Sequence, residues 1–375
     1  MTMSLLEQTL HNLRALVSCD TTNPPREISA QSAIFDIIEE QLSGAGFSIE
    51  RVDLGDGCVS FLATRGTPRV LMNCHLDTVP ANSAWSRDPL DLLVEGDVAI
   101  GLGACDIKGA AAAMIAAATA TSGDIALLFT SDEEAGSSRC VKDFCLRHAP
   151  RETGYELVLV AAPTRCEAVL EHRGILTQTG LFDGVPGHAS QARALVDSAL
   201  HEAARWCASA LTLAQEHLES TSYAGLEGIC FNLGRMEGGV KPNMIAASAS
   251  VWWGMRPLPS QNPETLSKSF QQLAANPARV TWKPGFYGPT LPAPTEDGAP
   301  GSARVERARQ VALAHGFDIG APVDFWTEAA LFSQAGYDTV VLGPGDIAQA
   351  HAADEWVELA QLERAATIYA AVMRG

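Results

Sequence analysis

Apolar and polar residues follow two different patterns along this chain. Residues 3–18 carry apolar side chains at helical spacing, and residues 108–120 form an alanine-rich run typical of a buried helix. Short uninterrupted apolar runs occur at 70–73, 125–130 and 157–162. Such runs are typical of parallel strands covered on both faces, and their alternation with helices predicts an α/β fold.

The pattern changes near residue 176. Several later stretches alternate between apolar and polar residues, which predicts strands with one exposed face, and a long helix is expected at about 190–218. From residue 303 the α/β pattern resumes. We therefore predict a mostly parallel sheet flanked by helices, formed by residues 1–175 and 287–375, with an inserted α+β domain of residues 176–286.

The net charge argues against certain classes of binding partner, and the cysteine content indicates a cellular compartment. The chain has 26 Lys and Arg against 44 Asp and Glu, a net charge of −18, which disfavours nucleic acid and anionic membranes as partners. A local arginine can still bind an anionic small molecule. Nine cysteines without a CxxC pair indicate a reducing cytoplasm, and no stretch resembles a membrane span.

Polar residues follow several of the apolar runs. We expect four strand ends to carry them: His75 with Asp77, Asp106, the run 132–134, and His351. Polar side chains at the carboxyl ends of parallel strands form the sites of open α/β sheets. Imidazole and carboxylate without thiolate suit Zn²⁺, and also Co²⁺ or Mn²⁺.

Each of these features has an ordinary alternative explanation. A single His-x-Asp is usually an ordinary pair of polar residues at the surface or in the core. A run of three acidic residues is usually a solvated turn. Together, directly after apolar strands, they favour a metal site, because a cation offsets the repulsion between Glu133 and Glu134.

A series of motifs carries a family resemblance. In chain order they are NCHLDTVP (73–80), GLGACDIKGA (101–110), TSDEEAG (130–136), GVPGHAS (184–190), GGVKPNMIA (238–246), MRPLP (255–259) and GPGDIAQAHAADEWV (343–357). This series resembles the co-catalytic zinc amidohydrolases of the acetylornithine deacetylase and succinyl-diaminopimelate desuccinylase group.

The resemblance implies a role for each of these residues. It makes His75 a ligand of the first metal, with Asp77 behind it, and Asp106 the ligand that bridges both metals. It makes Glu134 and His351 ligands of the second metal. Glu133 becomes the general base. It also makes Arg256 the clamp on the substrate carboxylate, His188 the oxyanion-stabilising residue supplied by a partner subunit, and Asn243, Lys241 and the loop at 343–345 with Gly345 the pocket lining.

The resemblance also implies an activity. We expect Zn²⁺ or Co²⁺, one or two per subunit, in a cytoplasmic homodimer with a lid and dimerisation domain. The expected reaction is hydrolysis of N-acetyl-L-citrulline or N-acetyl-L-ornithine, releasing acetate in arginine biosynthesis. The alternatives are a dipeptidase or carboxypeptidase of the same fold, or a binding homologue without turnover.

Two positions depart from the family pattern. Ala162 precedes Pro163-Thr164 where the family has a metal-binding carboxylate, and alanine cannot coordinate. Glu328 stands in a Thr-Glu-Ala sequence in place of the more usual Thr-Asp-Ala. We expect Ala162 to weaken the first metal site and impair catalysis while leaving the fold unchanged.

Overall fold

A computed structural model describes residues 3–25, 27–294 and 301–374. The remaining residues, which fall in the predicted first domain, lie outside the described residues. The chain divides into two compact units: Met1–Leu170, Ser302–Ala321 and Thr327–Gly375 form the first, and Glu171–Gly301 with Pro322–Trp326 form the second.

The helices and strands include those that the sequence patterns predicted at 3–18, 70–73, 108–120, 125–130 and 157–162. In chain order the helices are α1 (Leu5–Val17), α2 (Ala33–Gln41), α3 (Lys108–Thr119), α4 (Arg139–Arg147), α5 (Pro150–Thr153), α6 (Ala194–Asp197), α7 (Ala199–Ser220), α8 (Pro263–Gln271), α9 (Ser302–Ala314), α10 (Ala329–Ala335) and α11 (Leu359–Arg374), with short 3-10 helices at Pro277–Arg279 and Ile347–Gln349. The strands are β1 (Ser48–Asp53), β2 (Val59–Arg65), β3 (Val70–His75), β4 (Leu93–Glu95), β5 (Val98–Ile100), β6 (Ile125–Thr130), β7 (Leu157–Val160), β8 (Ile175–Asp183), β9 (Gly187–His188), β10 (Ser222–Tyr223), β11 (Leu226–Glu227), β12 (Cys230–Gly238), β13 (Met244–Ile245), β14 (Ser248–Arg256), β15 (Val280–Gly288), β16 (Thr339–Val341) and β17 (Trp356–Glu358).

The main sheet of the first unit has the strand order β1-β2-β6-β3-β7-β16. The three pairs β6/β3, β3/β7 and β7/β16 are parallel, whereas β1/β2 and β2/β6 are antiparallel. Strands β3, β6 and β7 are buried along their whole length, as the uninterrupted apolar runs predicted. The predicted α/β fold class is confirmed.

Helix α3 lies at the centre of the helical layer of this unit. Its residues 108–118 are all buried, and α1 and α11 pack against it. Alanine side chains are small, so neighbouring helices approach closely without leaving cavities. Helix α1 begins with a capping box, in which the Ser4 hydroxyl accepts from the Glu7 amide and the Glu7 carboxylate accepts from the Ser4 amide.

The second unit is built on an antiparallel sheet with the order β12-β14-β8-β15. Helices α7 and α8 bury one face, where Trp206, Trp253 and Phe270 pack together. On the other face Trp252 is half exposed. The alternating pattern of this region reflects these two faces.

The helix predicted at about 190–218 begins at Ala199, because Ser198 is extended. The Ala199 amide donates to the carbonyl of Ala246, and the Asp197 carbonyl accepts from Val185. These bonds to neighbouring segments replace the bonds that would have continued the helix. None of the described helices is long and apolar enough to cross a bilayer.

Candidate active site

Two neighbouring parallel strands bring the first polar groups together. In the register of β3 and β6, His75 lies beside Thr130. Asp77 follows the first strand and Glu133 with Glu134 follow the second, so all three meet at the same sheet edge. This part of the site agrees with the prediction that strand ends carry it.

Asp77 organises this edge from a fully buried position. The His75 Nδ1 lies 3.0 Å from the Asp77 carbonyl oxygen and 3.5 Å from its carboxylate. The same carboxylate accepts from the backbone amides of Glu133 at 3.3 Å and Glu134 at 2.9 Å. Asp77 therefore orients the imidazole and also holds the two glutamates in place.

Asp106 and His351 reach the site differently from the prediction. Neither follows a strand of the main sheet: Asp106 lies in the loop between β5 and α3, and His351 follows the 3-10 helix Ile347–Gln349. His351 has a left-handed backbone with φ +59°. The prediction that four strand ends carry the site is correct for two of them.

These residues nevertheless form a tight cluster. The His351 Nε2 lies 2.8 Å from Glu134 Oε1 and 3.6 Å from Asp106 Oδ2, and the His75 Nε2 lies 3.3 Å from Asp106 Oδ1. Ligand atoms of Asp106, Glu134 and His351 all lie within 4.8 Å of one another, and the same holds for His75, Glu133 and Glu134. Asp106 thus lies between the two imidazoles.

The electrostatics of the cluster suit a cation. Burial raises the pKa of Glu133 well above its usual value, and the charge of Glu134 adds to the shift. Burial also raises the pKa of Glu134, against the hydrogen bond from His351, and that hydrogen bond raises the pKa of His351 to about 9. A divalent cation held by these groups would offset the repulsion between their carboxylates.

The first metal position lacks one donor. Ala162 lies two residues beyond the end of β7, is 6% exposed and offers only a methyl group. The donor atoms of Asp106, Glu134 and His351 fit one metal ion. For a second ion, His75 and Asp106 remain without the carboxylate that position 162 carries in the resembling family.

The loop at 343–345 packs against the Asp106 loop. Gly345 has φ +95°, and a Cβ at this position would lie 2.5 Å from the Sγ of Cys105. Its amide donates to the Gln361 side chain at 2.7 Å. Glycine is therefore required both by the backbone conformation and by the close approach to Cys105.

The sequence patterns did not single out Glu355, and they left Glu328 unexplained. Glu355 is 2% exposed and accepts three backbone amides of the Asp106 loop. Glu328 is 1% exposed, lies at the start of α10 and accepts from the Thr130 hydroxyl at 3.1 Å. An acidic residue four positions after His351 was the available signal for Glu355.

Four other predicted residues lie in the second unit. His188 pairs with Met244 in the β9/β13 ladder, and its Nδ1 lies 2.8 Å from the Ser190 hydroxyl. Asn243 precedes that ladder, its carbonyl accepts from Ala189, and it is exposed, as is Lys241.

Arg256 ends β14 and lines a cavity of about 770 Å³ in this unit. Its carbonyl lies 3.5 Å from the guanidinium of Arg173. Arg173 itself is buried, donating to the Gly228 carbonyl at 2.6 Å and to Asp324 at 2.6 Å. Arg173 therefore ties the start of β12 and the segment Pro322–Trp326 to the end of β14.

An α/β unit that gathers two histidines and three carboxylates at the edge of a mainly parallel sheet defines a metallohydrolase. The chain belongs to peptidase family M20/M25/M40, whose sequence pattern matches residues 71–375. This confirms the family predicted from the motifs and, with it, a metal-dependent amide hydrolase.

Relatives with full-length similarity include an N-acetyl-L-citrulline deacetylase from Xanthomonas campestris pv. campestris, which is 51% identical over 363 residues covering 96% of both chains. An acetylornithine deacetylase from Myxococcus xanthus is 30% identical over 97% of both chains. Among solved structures, the aminopeptidase PepT from Bacillus cereus has a TM-score of 0.71 at 17% identity, covering 98% of each chain. A metallo-carboxypeptidase from Sulfolobus solfataricus has a TM-score of 0.71 at 15% identity, again covering 98% of each.

Proposed function

We propose that this chain is a metal-dependent deacetylase that acts on N-acetyl-L-citrulline in preference to N-acetyl-L-ornithine. The choice of substrate rests on sequence identity to proteins of known name. The chain shares 51% with the Xanthomonas N-acetyl-L-citrulline deacetylase, against 30% and 27% with acetylornithine deacetylases from Myxococcus xanthus and Proteus mirabilis. The products, acetate and the free amino acid, suit a step in arginine biosynthesis.

The donor set determines which residues would hold the metal. Asp106, Glu134 and His351 would hold one Zn²⁺ or Co²⁺, while a second ion would find His75 and Asp106, with Glu133 also within ligand distance of His75. A divalent ion bound here supplies Lewis acidity, which acidifies water and polarises an acyl carbonyl.

Glu133 is the proposed general base. As the water oxygen adds to the acyl carbon, Glu133 accepts the water proton, and it returns that proton to the nitrogen when the C–N bond breaks. Each turnover consumes one water and yields acetate and the amino acid. A carboxylate oxygen of Glu133 lies within 4.8 Å of donor atoms of His75 and Glu134, and this proximity to the proposed ligands supports its role as the base.

Residues of the second unit are proposed to bind the substrate. The Arg256 guanidinium would bind the α-carboxylate through two parallel hydrogen bonds, a geometry that arginine offers and lysine does not. His188 would donate to the oxyanion from a partner subunit, and Asn243 and Lys241 would line the pocket. Gly345, which belongs to the first unit, is proposed as a further lining residue. The exposed and hydrogen-bonded position of His188 leaves its Nε2 available for this role.

We propose that the second unit also serves as lid and dimerisation domain of a cytoplasmic homodimer. Its exposed apolar side chains support this, since burial of apolar surface favours association between subunits. They include Leu195, Val196, Met236, Val240 and Met244. The nine cysteines, all free thiols, support a reducing compartment.

The decisive experiment measures acetate release from N-acetyl-L-citrulline, N-acetyl-L-ornithine and N-acetyl-L-methionine with Co²⁺ or Zn²⁺ added. We expect the citrulline derivative to be hydrolysed fastest. Equal rates on all three would contradict a dedicated biosynthetic enzyme. Hydrolysis of dipeptides with all acetylated substrates left intact would favour a peptidase.

Ala162 favours a second candidate function, a homologue that binds acylated amino acids without turnover. That candidate predicts tight binding of N-acetyl-L-citrulline by calorimetry and no acetate release at any metal concentration. Acetate release that scales with enzyme concentration and is abolished by Glu133→Gln would exclude it.

A further inference from the structure

We propose that Glu355 is a positioning residue that locks together the two loops on which Asp106 and His351 reach the metal cluster. The inference rests on the proposed metal site and adds a residue to which neither the motifs nor the family resemblance assigned a role. It concerns how the chain holds the ligand set, and its test does not depend on turnover.

Glu355 bonds the Asp106 loop along most of its length. Its Oε1 accepts the amides of Cys105 and Asp106, both at 2.8 Å, and its Oε2 accepts the amide of Gly103 at 3.0 Å. Its backbone carbonyl accepts the amide of Gly101 at 2.9 Å. One residue thus binds four amides of residues 101–106, including that of the ligand Asp106 itself.

The same residue lies four positions after His351. Immediately beyond Glu355 the chain enters β17, whose Trp356 pairs with Ile100 at the end of β5. The loop with Asp106 follows β5, and the loop with His351 precedes β17. Both loops therefore adjoin the same pair of hydrogen-bonded strands. Beyond the ends of these strands, the side chain and carbonyl of Glu355 bond to the Asp106 loop in place of regular β-ladder hydrogen bonds.

Burial makes this arrangement strong. Glu355 is 2% exposed, so water does not compete for its oxygens. Three backbone amides bond to the two oxygens of this one buried side chain, so the Asp106 loop is held at three points. Asp106 and His351 have no strand of the main sheet to hold them, so the distance between their ligand atoms depends on this contact.

The test uses Glu355→Gln. The glutamine side chain keeps the size but has one acceptor oxygen, and its NH₂ group would face an amide donor. Outer-shell groups that orient ligands typically contribute 10- to 100-fold to metal affinity. We expect Kd for Co²⁺, measured by chelator competition on metal-free protein, to rise by about that factor. Hydrogen exchange of residues 101–106 should become faster in the metal-free variant.

Glu202→Gln is the matched control. Glu202 is also a buried glutamate (9% exposed) that accepts a backbone amide, from Asn276 at 2.9 Å, but it lies in the second unit. We expect Glu202→Gln to leave Co²⁺ affinity and exchange at residues 101–106 unchanged. If Glu355→Gln does not fold, Glu355→Asp replaces it with the same expectations, since it shortens the carboxylate by one methylene.

The possible outcomes separate this inference from the proposed function. If the wild-type protein binds no Co²⁺ or Zn²⁺, the proposed function fails and the inference with it. If the wild-type protein binds metal and Glu355→Gln binds it equally well, only the inference is overturned. Equal weakening in Glu355→Gln and Glu202→Gln would also overturn it, because a general loss of stability would then explain both.

Discussion

The two sides of the metal cluster are built differently. On one side, Asp106, Glu134 and His351 bring three ligand atoms into contact, and Glu355 bonds the loops that carry two of them. On the other side, His75 lies at the end of a buried strand and Ala162 offers no donor. Two ligands of the first set, Asp106 and His351, stand on loops outside the main sheet, and Glu134 follows β6. On the second side, His75 ends β3 and Ala162 follows β7.

This contrast shows that a metal site needs residues in the right position and also side chains that can donate to a metal. The sheet places His75 accurately through the register of β3 with β6, yet rigid placement supplies no ligand where the side chain is a methyl group. The two loops add Asp106 and His351 to Glu134, and long-range hydrogen bonds from Glu355 replace the missing β-ladder there. Metal affinity should therefore follow the number of donors on each side, and not the regularity of the backbone beneath them.

Glu133→Gln should produce the largest effect on turnover. If Glu133 is the general base, kcat falls by about 10²- to 10⁴-fold, the usual contribution of acid–base catalysis. Glu133 also lies within ligand distance of His75 and Glu134, so it is the residue that would replace the missing carboxylate as a ligand. Acetate release and Co²⁺ affinity should be measured on the same variant: a loss of activity with full affinity supports a base, and a parallel loss of affinity identifies a ligand.

Removing one histidine at a time compares the two sides directly. His351→Ala should weaken Co²⁺ binding by more than the roughly 100-fold that loss of an outer-shell partner can cost, and His75→Ala by less than that. Chelator competition on both metal-free variants gives the two Kd values. An equal loss in both would show that the two sides contribute alike, and the contrast drawn from Ala162 would then be wrong.

Much of the fold could be predicted from the sequence because its signals are local. Buried strands such as β3 and β6 appear as uninterrupted apolar runs, and helix α3 appears as an alanine-rich run. The paths of the two ligand loops have no such signal. They depend on bonds between Glu355 and residues about 250 positions earlier, which no periodicity encodes.

Long-range contacts also determine the extent of the second unit. The segment Pro322–Trp326 belongs to it, and the buried Arg173 reaches Asp324 across 151 residues of sequence. The family motifs identified the residues of the cluster, but a motif does not state which backbone element carries each one. The proposed roles of Arg256 and His188 remain predictions from the resemblance.

Ala162→Glu should reduce the difference between the two sides. A carboxylate at this position would give His75 and Asp106 a third donor, so bound metal should rise from about one to about two equivalents at micromolar free Co²⁺. We expect turnover to rise about tenfold, equivalent to about 1.4 kcal/mol of transition-state stabilisation. Elemental analysis and acetate release check both results, and Ala162→Met is the control for side-chain volume without a donor. One equivalent in both variants would show that residue 162 does not limit the site.

Glu328 gives the smallest and most local test, on the His75 side. Its carboxyl group accepts from Thr130, the register partner of His75, and burial raises its pKa to about 8 from an ordinary value of 4.5. The folded chain therefore keeps a proton that the unfolded chain releases. The stability associated with that proton is complete below pH 4.5 and is lost as pH rises towards 8, by up to about 1.4 kcal/mol per pH unit.

The side chain of Glu328→Gln is neutral at every pH, so the variant should lack this contribution to the change of unfolding free energy with pH. Urea unfolding of metal-free wild-type protein and variant at pH 5 and pH 8.5 isolates it, because every other titrating group is common to both. We expect the wild-type protein to lose more stability than the variant over this interval. Equal losses would mean that Glu328 ionises in the folded protein as it does in the unfolded chain. The carboxylate would then add negative charge beside His75 at neutral pH, and the His75 side would attract a cation more strongly than its ligand count implies.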